Sequence, residues 1–319
     1  MTVYMASPNV GTVVRSTGSW YDVMNQSGNV VKCRFRGKFK IAGIKFTNPI
    51  AVGDVVQYHI DEKDNAGVIT NIEPRKNYIV RKSTNLSKVE QIIASNIDIC
   101  FIVVTINFPR TSTGFIDRYL TCNEGFHIQS AIVVNKTDLY DEVDIKRMNE
   151  IVAIYRNVGY RVLCTSVKEN VGIEELRLMM KDKTSIFAGH SGVGKSALIH
   201  AVDDNIDVKI GEISQVHEKG KHTTTFASMY PLYFGGSIID TPGIKEFGLS
   251  TFTRGEIAER FPEIRKIQQQ CRFNDCQHIS EPGCAVVKAV KAGLIAKERY
   301  ENYLDILNDD YFDIEDYRK

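Results

Sequence analysis

Gly189-His190-Ser191-Gly192-Val193-Gly194-Lys195-Ser196 reads G-x-x-x-x-G-K-S, between an apolar strand candidate at 185–188 and a helix candidate at 195–202. In such a loop the backbone N–H groups turn inward around phosphate oxygens, and the helix N-terminus adds its positive dipole end. Lys195 would reach the β- and γ-phosphates, and the Ser196 hydroxyl would ligate Mg²⁺. A glycine-rich turn without a ligand is the alternative, but the flanking strand and helix make a chance match rarer. The sequence therefore predicts a nucleotide-binding loop that runs from Gly189 to Ala197.

A second motif, Asn135-Lys136-Thr137-Asp138, directly follows the predicted strand 130–135. A carboxylate at Asp138 can accept two hydrogen bonds from guanine, whereas adenine offers no such pair of donors. Asn135 would bond the loop and the base, and the Lys136 stem would cover one face of the ring. A backbone N–H of the stretch Thr165-Ser166-Val167, with Ser166 at its centre, would reach guanine O6. We therefore expect GTP or GDP as the ligand. A P-loop ATPase or kinase with a fortuitous N-K-T-D motif is the rival interpretation.

The magnesium and γ-phosphate contacts are predicted in two later stretches. Asp240-Thr241-Pro242-Gly243 reads D-x-x-G after an apolar strand at 237–240, so that Asp240 would hold Mg²⁺ through water and the Gly243 N–H would contact the γ-phosphate. In the polar segment 219–225, Thr224 is the favoured residue to close over Mg²⁺. Its threonine neighbours remain open, and an ordinary exposed loop is the alternative.

The position after D-x-x-G holds Ile244, where many small GTPases have a glutamine that orients the attacking water. Because an aliphatic side chain cannot orient water, we expect slow intrinsic turnover. His222 is the candidate catalytic replacement beside Lys195, and a loop histidine bonded to backbone is the alternative.

The order of these motifs differs from that of ordinary GTPases, because the N-K-T-D stretch precedes the phosphate loop. Strands and helices alternate from about residue 85, which predicts a doubly wound, mostly parallel α/β sheet. The predicted strands are 97–106, 130–135, 160–164, 226–233 and 237–240, and the predicted helices are 114–124, 144–157 and 173–180. A circular permutation of the GTPase domain explains the order, since domain termini often lie close together.

The N-terminal segment predicts a small β-barrel of the OB type. Five strand-like runs lie between residues 10 and 72, with turn signals and no helix between them. One run alternates cations with apolar residues, which places five like charges on one strand face: Lys32, Arg34, Arg36, Lys38 and Lys40. Because like charges repel unless a polyanion offsets them, we favour an RNA-binding face over an ordinary solvated one.

A cluster of metal-ligand residues, with spacing C-x₄-C-x-H-x₅-C, lies near the C-terminus: Cys271, Cys276, His278 and Cys284. Three thiolates and an imidazole suit a closed tetrahedral Zn²⁺ site, while a disulfide or ordinary buried thiols are the alternatives. Predicted helices surround the cluster at 254–260, 285–292 and 296–307. Four cations on them would form either an RNA-facing surface or a routine solvated face: Lys288, Lys291, Lys297 and Arg299.

The net charge and composition of the chain indicate its cellular compartment and limit its partners. The formal net charge of +1 excludes a strongly basic chain, so any nucleic-acid surface must be local. No secretion signal is visible, and the longest apolar run, 97–106, is too short to span a bilayer. Seven cysteines, several of them isolated, indicate a reduced cytoplasmic protein. We expect domains at 1–74, 75–248 and 249–319, and no membrane partner.

Taken together, the permuted motif order, the OB-like N-terminus, the run 220–225, the D-T-P-G stretch and the Cys₃His cluster resemble the RsgA (YjeQ) family of bacterial, small-subunit-dependent GTPases. The resemblance extends over nearly the whole chain. It implies a function in late 30S maturation, with the barrel and the zinc domain contacting 16S rRNA, and a monomer off the ribosome. An RNA-binding assembly switch, in which GTP binding matters more than turnover, is the alternative. Family members often have Arg where Lys221 stands, which changes hydrogen-bond geometry but not charge.

Overall fold

The computed structural model describes residues 8–35, 49–61, 64–82, 90–206, 227–240 and 252–308. They form a barrel, an open sheet flanked by helices, and a helical C-terminal unit. Within these ranges, no helix combines the length and the apolar character that a membrane span requires.

Five strands form the N-terminal barrel: β1 (Asn9–Ser16), β2 (Trp20–Asn25), β3 (Val30–Phe35), β4 (Val55–Asp61) and β5 (Ala66–Ile72). Their order is β1-β2-β3-β5-β4, and an antiparallel β1–β4 pairing closes the barrel. Alternate residues such as Val13, Val23 and Cys33 point inward to a small apolar core. The predicted five-stranded barrel is confirmed.

A hairpin that the sequence did not predict follows the barrel: β6 (Tyr78–Lys82) pairs with β7 (Glu90–Ser95). The stretch Pro74-Arg75-Lys76 before it is typical of a linker in sequence, because it combines a proline with two basic residues. Arg75 instead forms an ion pair with the fully buried Asp54, with Nε and Oδ1 2.6 Å apart. Ser95 Oγ donates to the same carboxylate at 2.6 Å, so the hairpin is fastened to the barrel.

The open sheet contains β8 (Ile99–Val104), β9 (Gln129–Val134), β10 (Arg161–Cys164), β11 (Thr184–Ala188), β12 (Ser228–Pro231) and β13 (Ser237–Asp240). Its order is β10-β9-β8-β11-β13-β12, where only β12 runs antiparallel to its neighbour in this series. All six residues of β8 are buried, and they alternate between two apolar clusters on the two faces of the sheet. This is the doubly wound sheet that the sequence predicted.

Four helices accompany this sheet: α1 (Thr113–Gly125), α2 (Glu142–Val158), α3 (Ile173–Met180) and α4 (Lys195–Val202). The Ser112 hydroxyl accepts the Phe115 N–H and caps α1, while Asp141 caps α2 by accepting the Asp144 N–H. β1 also pairs with β12 at Arg15 and Ser228, so the barrel and the open sheet are hydrogen-bonded to each other.

The C-terminal unit contains α5 (Arg254–Glu259), α6 (Pro262–Ile267), α7 (Ala285–Lys291) and α8 (Lys297–Leu307), of which α6 was not predicted. α8 packs against α1 of the sheet domain. Arg299 is only 2% exposed and forms ion pairs with Asp117 and Glu263. Its proposed place on a solvated or RNA-facing surface is therefore wrong, because two carboxylates hold its guanidinium inside the fold.

Candidate nucleotide-binding site and metal centre

The predicted nucleotide loops all follow parallel strands at one edge of the sheet. Asn135 follows β9, Thr165 follows β10, Gly189 follows β11, and Asp240 ends β13. The carboxyl ends of parallel strands meet at the same edge, which is where open α/β sheets bind ligands. Loops far apart in the sequence therefore come together here.

Asn135 joins three of these loops. It is 2% exposed, and its Nδ2 donates to the Val193 carbonyl of the phosphate loop at 2.9 Å. Its Oδ1 accepts the Thr165 hydroxyl at 2.9 Å. Because both polar ends of the amide have buried partners, the base loop has a fixed position relative to the phosphate loop.

Lys136 forms a second connection between the two loops. Its Nζ donates to the carbonyls of Gly192 at 2.6 Å and Phe108 at 2.8 Å. Its backbone is left-handed, with φ of 65°, a conformation that non-glycine residues adopt rarely and often at functional sites. These two bonds hold the Lys136 ammonium at the phosphate loop. This position agrees with the prediction that the aliphatic part of the Lys136 side chain covers one face of the base.

Asp138 lies beside the loop that follows β10. Its Oδ1 accepts the Ser166 hydroxyl at 2.6 Å. The backbone N–H groups of Ser166 and Thr165 donate to Val171 O at 3.1 Å and to Val134 O at 2.8 Å, so the predicted donation from the Ser166 N–H to guanine O6 is wrong for this arrangement. The Thr137 N–H donates to Thr165 O at 3.2 Å. The residues predicted to recognise guanine are therefore brought together, with the Asp138 carboxylate oriented by a neutral donor.

The phosphate loop needs its glycines for close backbone approach. A Cβ on Gly189, where φ is +148°, would meet Val103 O at 2.4 Å, and one on Gly194 would meet Asn135 Nδ2 at 2.5 Å. Lys195 Nζ donates to the carbonyls of Gly189 and His190, both at 2.7 Å. The ammonium therefore lies against the loop where phosphate oxygens would bind.

The residues predicted to hold Mg²⁺ are described in part. Ser196 lies in the first turn of α4, which follows the phosphate loop, and Asp240 ends β13. Burial raises the pKa of the Asp240 carboxyl to about 6, and a bound dication would favour its ionised form. Thr224, Gly243 and the candidate catalytic residue His222 lie outside the described residues.

Two of the five cations of the predicted RNA face are described. Lys32 is exposed, and its partner across the β2–β3 ladder is Asp22. Arg34 Nη2 is paired with Asp61 at 3.0 Å and Asp64 at 2.6 Å, so two carboxylates already offset its charge. The remaining three lie outside the described residues: Arg36, Lys38 and Lys40.

The four predicted zinc ligands converge, with their ligand atoms within 4.8 Å of one another. His278 Nδ1 lies 3.6 Å from Cys271 Sγ and 3.5 Å from Cys284 Sγ, and these two sulfurs are 3.9 Å apart. A tetrahedron with the usual Zn–S and Zn–N bond lengths has edges of about 3.8 Å and about 3.6 Å. The donor set and its spacing therefore fit one Zn²⁺ ion.

Burial shifts the pKa values of the histidine and of one cysteine in this cluster. Burial lowers the pKa of His278, which favours the neutral imidazole that ligates metals. Burial also raises the pKa of the Cys276 thiol to about 12, and only a bound cation would favour its thiolate. Tyr300 and Tyr303 hydroxyls donate to the carbonyls of His278 and Gln277 at 2.6 and 2.8 Å, so α8 supports the ligand loop.

Three residues that contact the predicted nucleotide loops were not predicted from the sequence. Tyr140 OH donates to Asn135 O at 2.6 Å and accepts from Ile106 N at 3.0 Å; its place two residues after N-K-T-D was the only signal. Phe108 contributes a carbonyl, which no sequence pattern reveals. Phe115 contacts His190 of the phosphate loop, with ring centroids 3.8 Å apart.

Comparisons with known proteins agree on one family. The RsgA GTPase model matches residues 72–250, and the RsgA N-terminal domain model matches residues 10–69. A protein named small ribosomal subunit biogenesis GTPase RsgA from Flavobacterium psychrophilum is 49% identical, over 94% of this chain and 93% of that protein. One of the same name from Bacteroides fragilis is 46% identical, over 94% and 96%.

Solved structures show the same architecture. YjeQ from Thermotoga maritima matches with a TM-score of 0.78 and 36% identity, over 94% of this chain and 98% of that one. YloQ, described as a circularly permuted GTPase, matches with a TM-score of 0.74 and 28% identity, over 97% and 96%. The predicted permutation of the sheet domain is thereby confirmed.

Proposed function

This chain belongs to the RsgA GTPase family, and we propose that it hydrolyses GTP in the maturation of the small ribosomal subunit. Relatives at 46–49% identity over nearly the whole chain are named small ribosomal subunit biogenesis GTPases. The observation that supports the nucleotide assignment best is the bond from Asn135 Nδ2 to Val193 O. It joins a guanine-recognition loop to a phosphate loop across the permuted chain.

The residues have distinct roles in this proposal. Asp138 selects guanine, helped by the loop 165–167, while Asn135 and Lys136 keep the base loop against the phosphate loop. The nucleotide phosphates lie along Gly189 to Ala197, with Lys195 as the main electrostatic contact. Catalysis relies on positioning and on charge stabilisation, with His222 orienting the water, and Gly243 contacts the γ-phosphate.

Two metal ions complete the proposal. Ser196, Thr224 and Asp240 hold Mg²⁺, which neutralises charge on the phosphates when bound. Three cysteines and one histidine hold a structural Zn²⁺: Cys271, Cys276, His278 and Cys284. With four protein ligands no position remains for water, so this ion organises the loop between α6 and α7 rather than performing chemistry.

The partner is the small ribosomal subunit, and 16S rRNA is the proposed contact of the barrel and of the zinc domain. The exposed Lys32 of β3 supports this contact, and the proposed RNA face also includes Arg36, Lys38 and Lys40, which lie outside the described residues. Because Arg34 is already paired with two aspartates, we expect it to contribute less. The proposed domains are 1–74, 75–248 and 249–319, in a monomer that acts in the cytoplasm.

GTP turnover measured with and without purified 30S subunits tests the proposal. We expect slow release of phosphate by the free protein and strong stimulation by the subunits, with Lys195→Ala as the inactive control. Excess ATP should compete poorly with labelled GTP, because Asp138 would face adenine without a partner donor. Absence of both stimulation and guanine preference would overturn the assignment.

The alternative, an assembly switch that needs only GTP binding, gives a different result. In that case Lys195→Ala would impair release from 30S particles because it weakens GTP binding, and its effect on GTP turnover would not matter for release. A turnover-deficient variant that still binds GTP, for which His222→Ala is the candidate, would then be released normally.

A further inference from the structure

Helix α1 and the loop before it contact both nucleotide loops. In the first turn of α1, the Phe115 ring packs against the His190 ring of the phosphate loop at a centroid distance of 3.8 Å. In the preceding loop, the Phe108 carbonyl accepts Lys136 Nζ of the base loop at 2.8 Å. A shift of α1 would therefore move one contact of each loop.

The same helix is held from its other side by the C-terminal unit. Asp117 is fully buried, and its Oδ1 accepts Arg299 Nη1 of α8 at 2.5 Å, while its Oδ2 accepts Asn302 Nδ2 of α8 at 2.6 Å. Tyr155 of α2 also donates to Oδ1, at 2.7 Å. Phe115 and Asp117 are two positions apart, so they point to opposite sides of α1. The helix therefore lies between the phosphate loop and α8.

A second connection between these helices strengthens the first. The Thr113 hydroxyl donates to Glu298 Oε1 of α8 at 2.6 Å, and Arg147 of α2 pairs with the same carboxylate. The first two turns of α1 thus have charged or polar partners from α8 on one side and the phosphate loop on the other.

Asp117 is buried and charged, so it needs the ion pair with Arg299. Complete burial raises the pKa of Asp117, and the adjacent Arg299 opposes that rise. A buried carboxylate whose cation is removed is strongly destabilised, so its surroundings must move or take up a proton. Asp117→Asn removes the negative charge that Arg299 Nη1 contacts and sets an amide N–H against the Asn302 Nδ2 donor, so we expect this change to displace the helix.

We propose that Arg299, in the zinc-binding unit, is a positioning residue for the phosphate loop, acting through Asp117, α1 and the contact between Phe115 and His190. This rests on the proposed GTPase function. The zinc-binding unit then sets the affinity for GTP without touching the nucleotide, and any partner that moves α8 alters the phosphate loop. Glu263 provides a matched control, because it pairs with the same guanidinium at 2.7 Å but belongs to α6 of the C-terminal unit.

The test compares the full-length Asp117→Asn and Glu263→Gln variants in steady-state GTP hydrolysis and in thermal unfolding. Both variants should lower the unfolding midpoint. Only Asp117→Asn should raise KM for GTP, by about fivefold or more, as coupling between distant sites usually gives. Glu263→Gln should stay within about twofold of the unaltered protein. Equal KM changes in the two variants would overturn the proposal.

A second experiment serves if Asp117→Asn fails to fold. Phe115→Leu removes the ring contact, and Arg299→Lys keeps the charge but loses the forked geometry. If both act through α1, the effect of the double variant on KM will be smaller than the product of the single effects. Independent effects would overturn the proposal. If the unaltered protein neither binds nor hydrolyses GTP, the proposed function itself is wrong, which is a separate result.

Discussion

Asn135→Asp is the sharpest perturbation of the nucleotide site, because it preserves shape and reverses one hydrogen-bonding group. In the native chain Asn135 Nδ2 donates to Val193 O at 2.9 Å. An ionised aspartate puts an acceptor oxygen there, facing a carbonyl, and adds a negative charge at a position that is 2% exposed, so the hydrogen-bonding cost below is a lower bound. The bond from the Thr165 hydroxyl to Oδ1 is kept, so the change is confined to the connection with the phosphate loop.

The expected cost follows from the two consequences of this change. Loss of the bond costs about 1 kcal/mol, and a buried acceptor left without a donor costs about 2 kcal/mol more. If the phosphate loop moves to relieve the repulsion, the cost of about 3 kcal/mol is taken from nucleotide binding, which is a loss of about 150-fold in affinity.

Calorimetric titration with GDP in the presence of Mg²⁺ measures this loss. Asn123→Asp is the matched control, because Asn123 is fully buried and donates to Ser130 Oγ at 2.9 Å. It lies at the C-terminal end of α1, away from the nucleotide edge of the sheet. The control should destabilise the fold and leave GDP affinity unchanged. Affinity within about threefold of native in Asn135→Asp would refute the idea that this amide joins the two loops.

Three other outcomes are expected. Asp138→Asn should weaken GDP binding about a hundredfold, since charge-assisted bonds contribute about 1.5–3 kcal/mol each, and xanthosine diphosphate should become the better competitor because its C2 carbonyl accepts from the new amide. We expect atomic absorption to find one equivalent of zinc in the unaltered protein. Cys276→Ser should abolish this zinc, whereas Cys164→Ser should retain it. Burial alone would raise the pKa of Glu298, but hydrogen bonds from Arg147 and Thr113 outweigh this and lower it. This stabilisation is present above the unfolded pKa of about 4.3 and is lost as pH falls through the folded value. Glu298→Gln should therefore lower the free energy of unfolding by about 1 kcal/mol at pH 7, and in urea titrations this deficit should shrink as the pH falls through the folded pKa of Glu298.

The architecture was predictable where periodicity and motif spacing agreed. The five barrel strands are short strand-like runs separated by turn residues, and β8 is an uninterrupted apolar run. Both signals come from local sequence, so the strands can be recognised without knowing which strands they pair with. The zinc ligands likewise lie within fourteen residues, so their spacing alone indicates that they meet.

The features that could not be predicted from the sequence depend on contacts between distant parts of the chain. Arg299 looks like one more cation on a polar helix, and only the packing of α8 against α1 reveals that Asp117 and Glu263 surround it. The hairpin β6–β7 was missed because Arg75 resembles a linker residue until Asp54 is placed beside it. A sequence shows which side chains are charged, and burial decides which of them are structural.

The order of the open sheet has a consequence for synthesis of this chain. β9 emerges soon after β8, but β11, the other neighbour of β8, follows only after α2, β10 and α3. Until then the nascent chain has an unpaired, wholly apolar strand edge, which favours aggregation. The phosphate loop follows β11, so nucleotide cannot stabilise the unfinished domain during that interval. The permuted order of motifs thus leaves this apolar edge of β8 without its second partner until β11 has been synthesised.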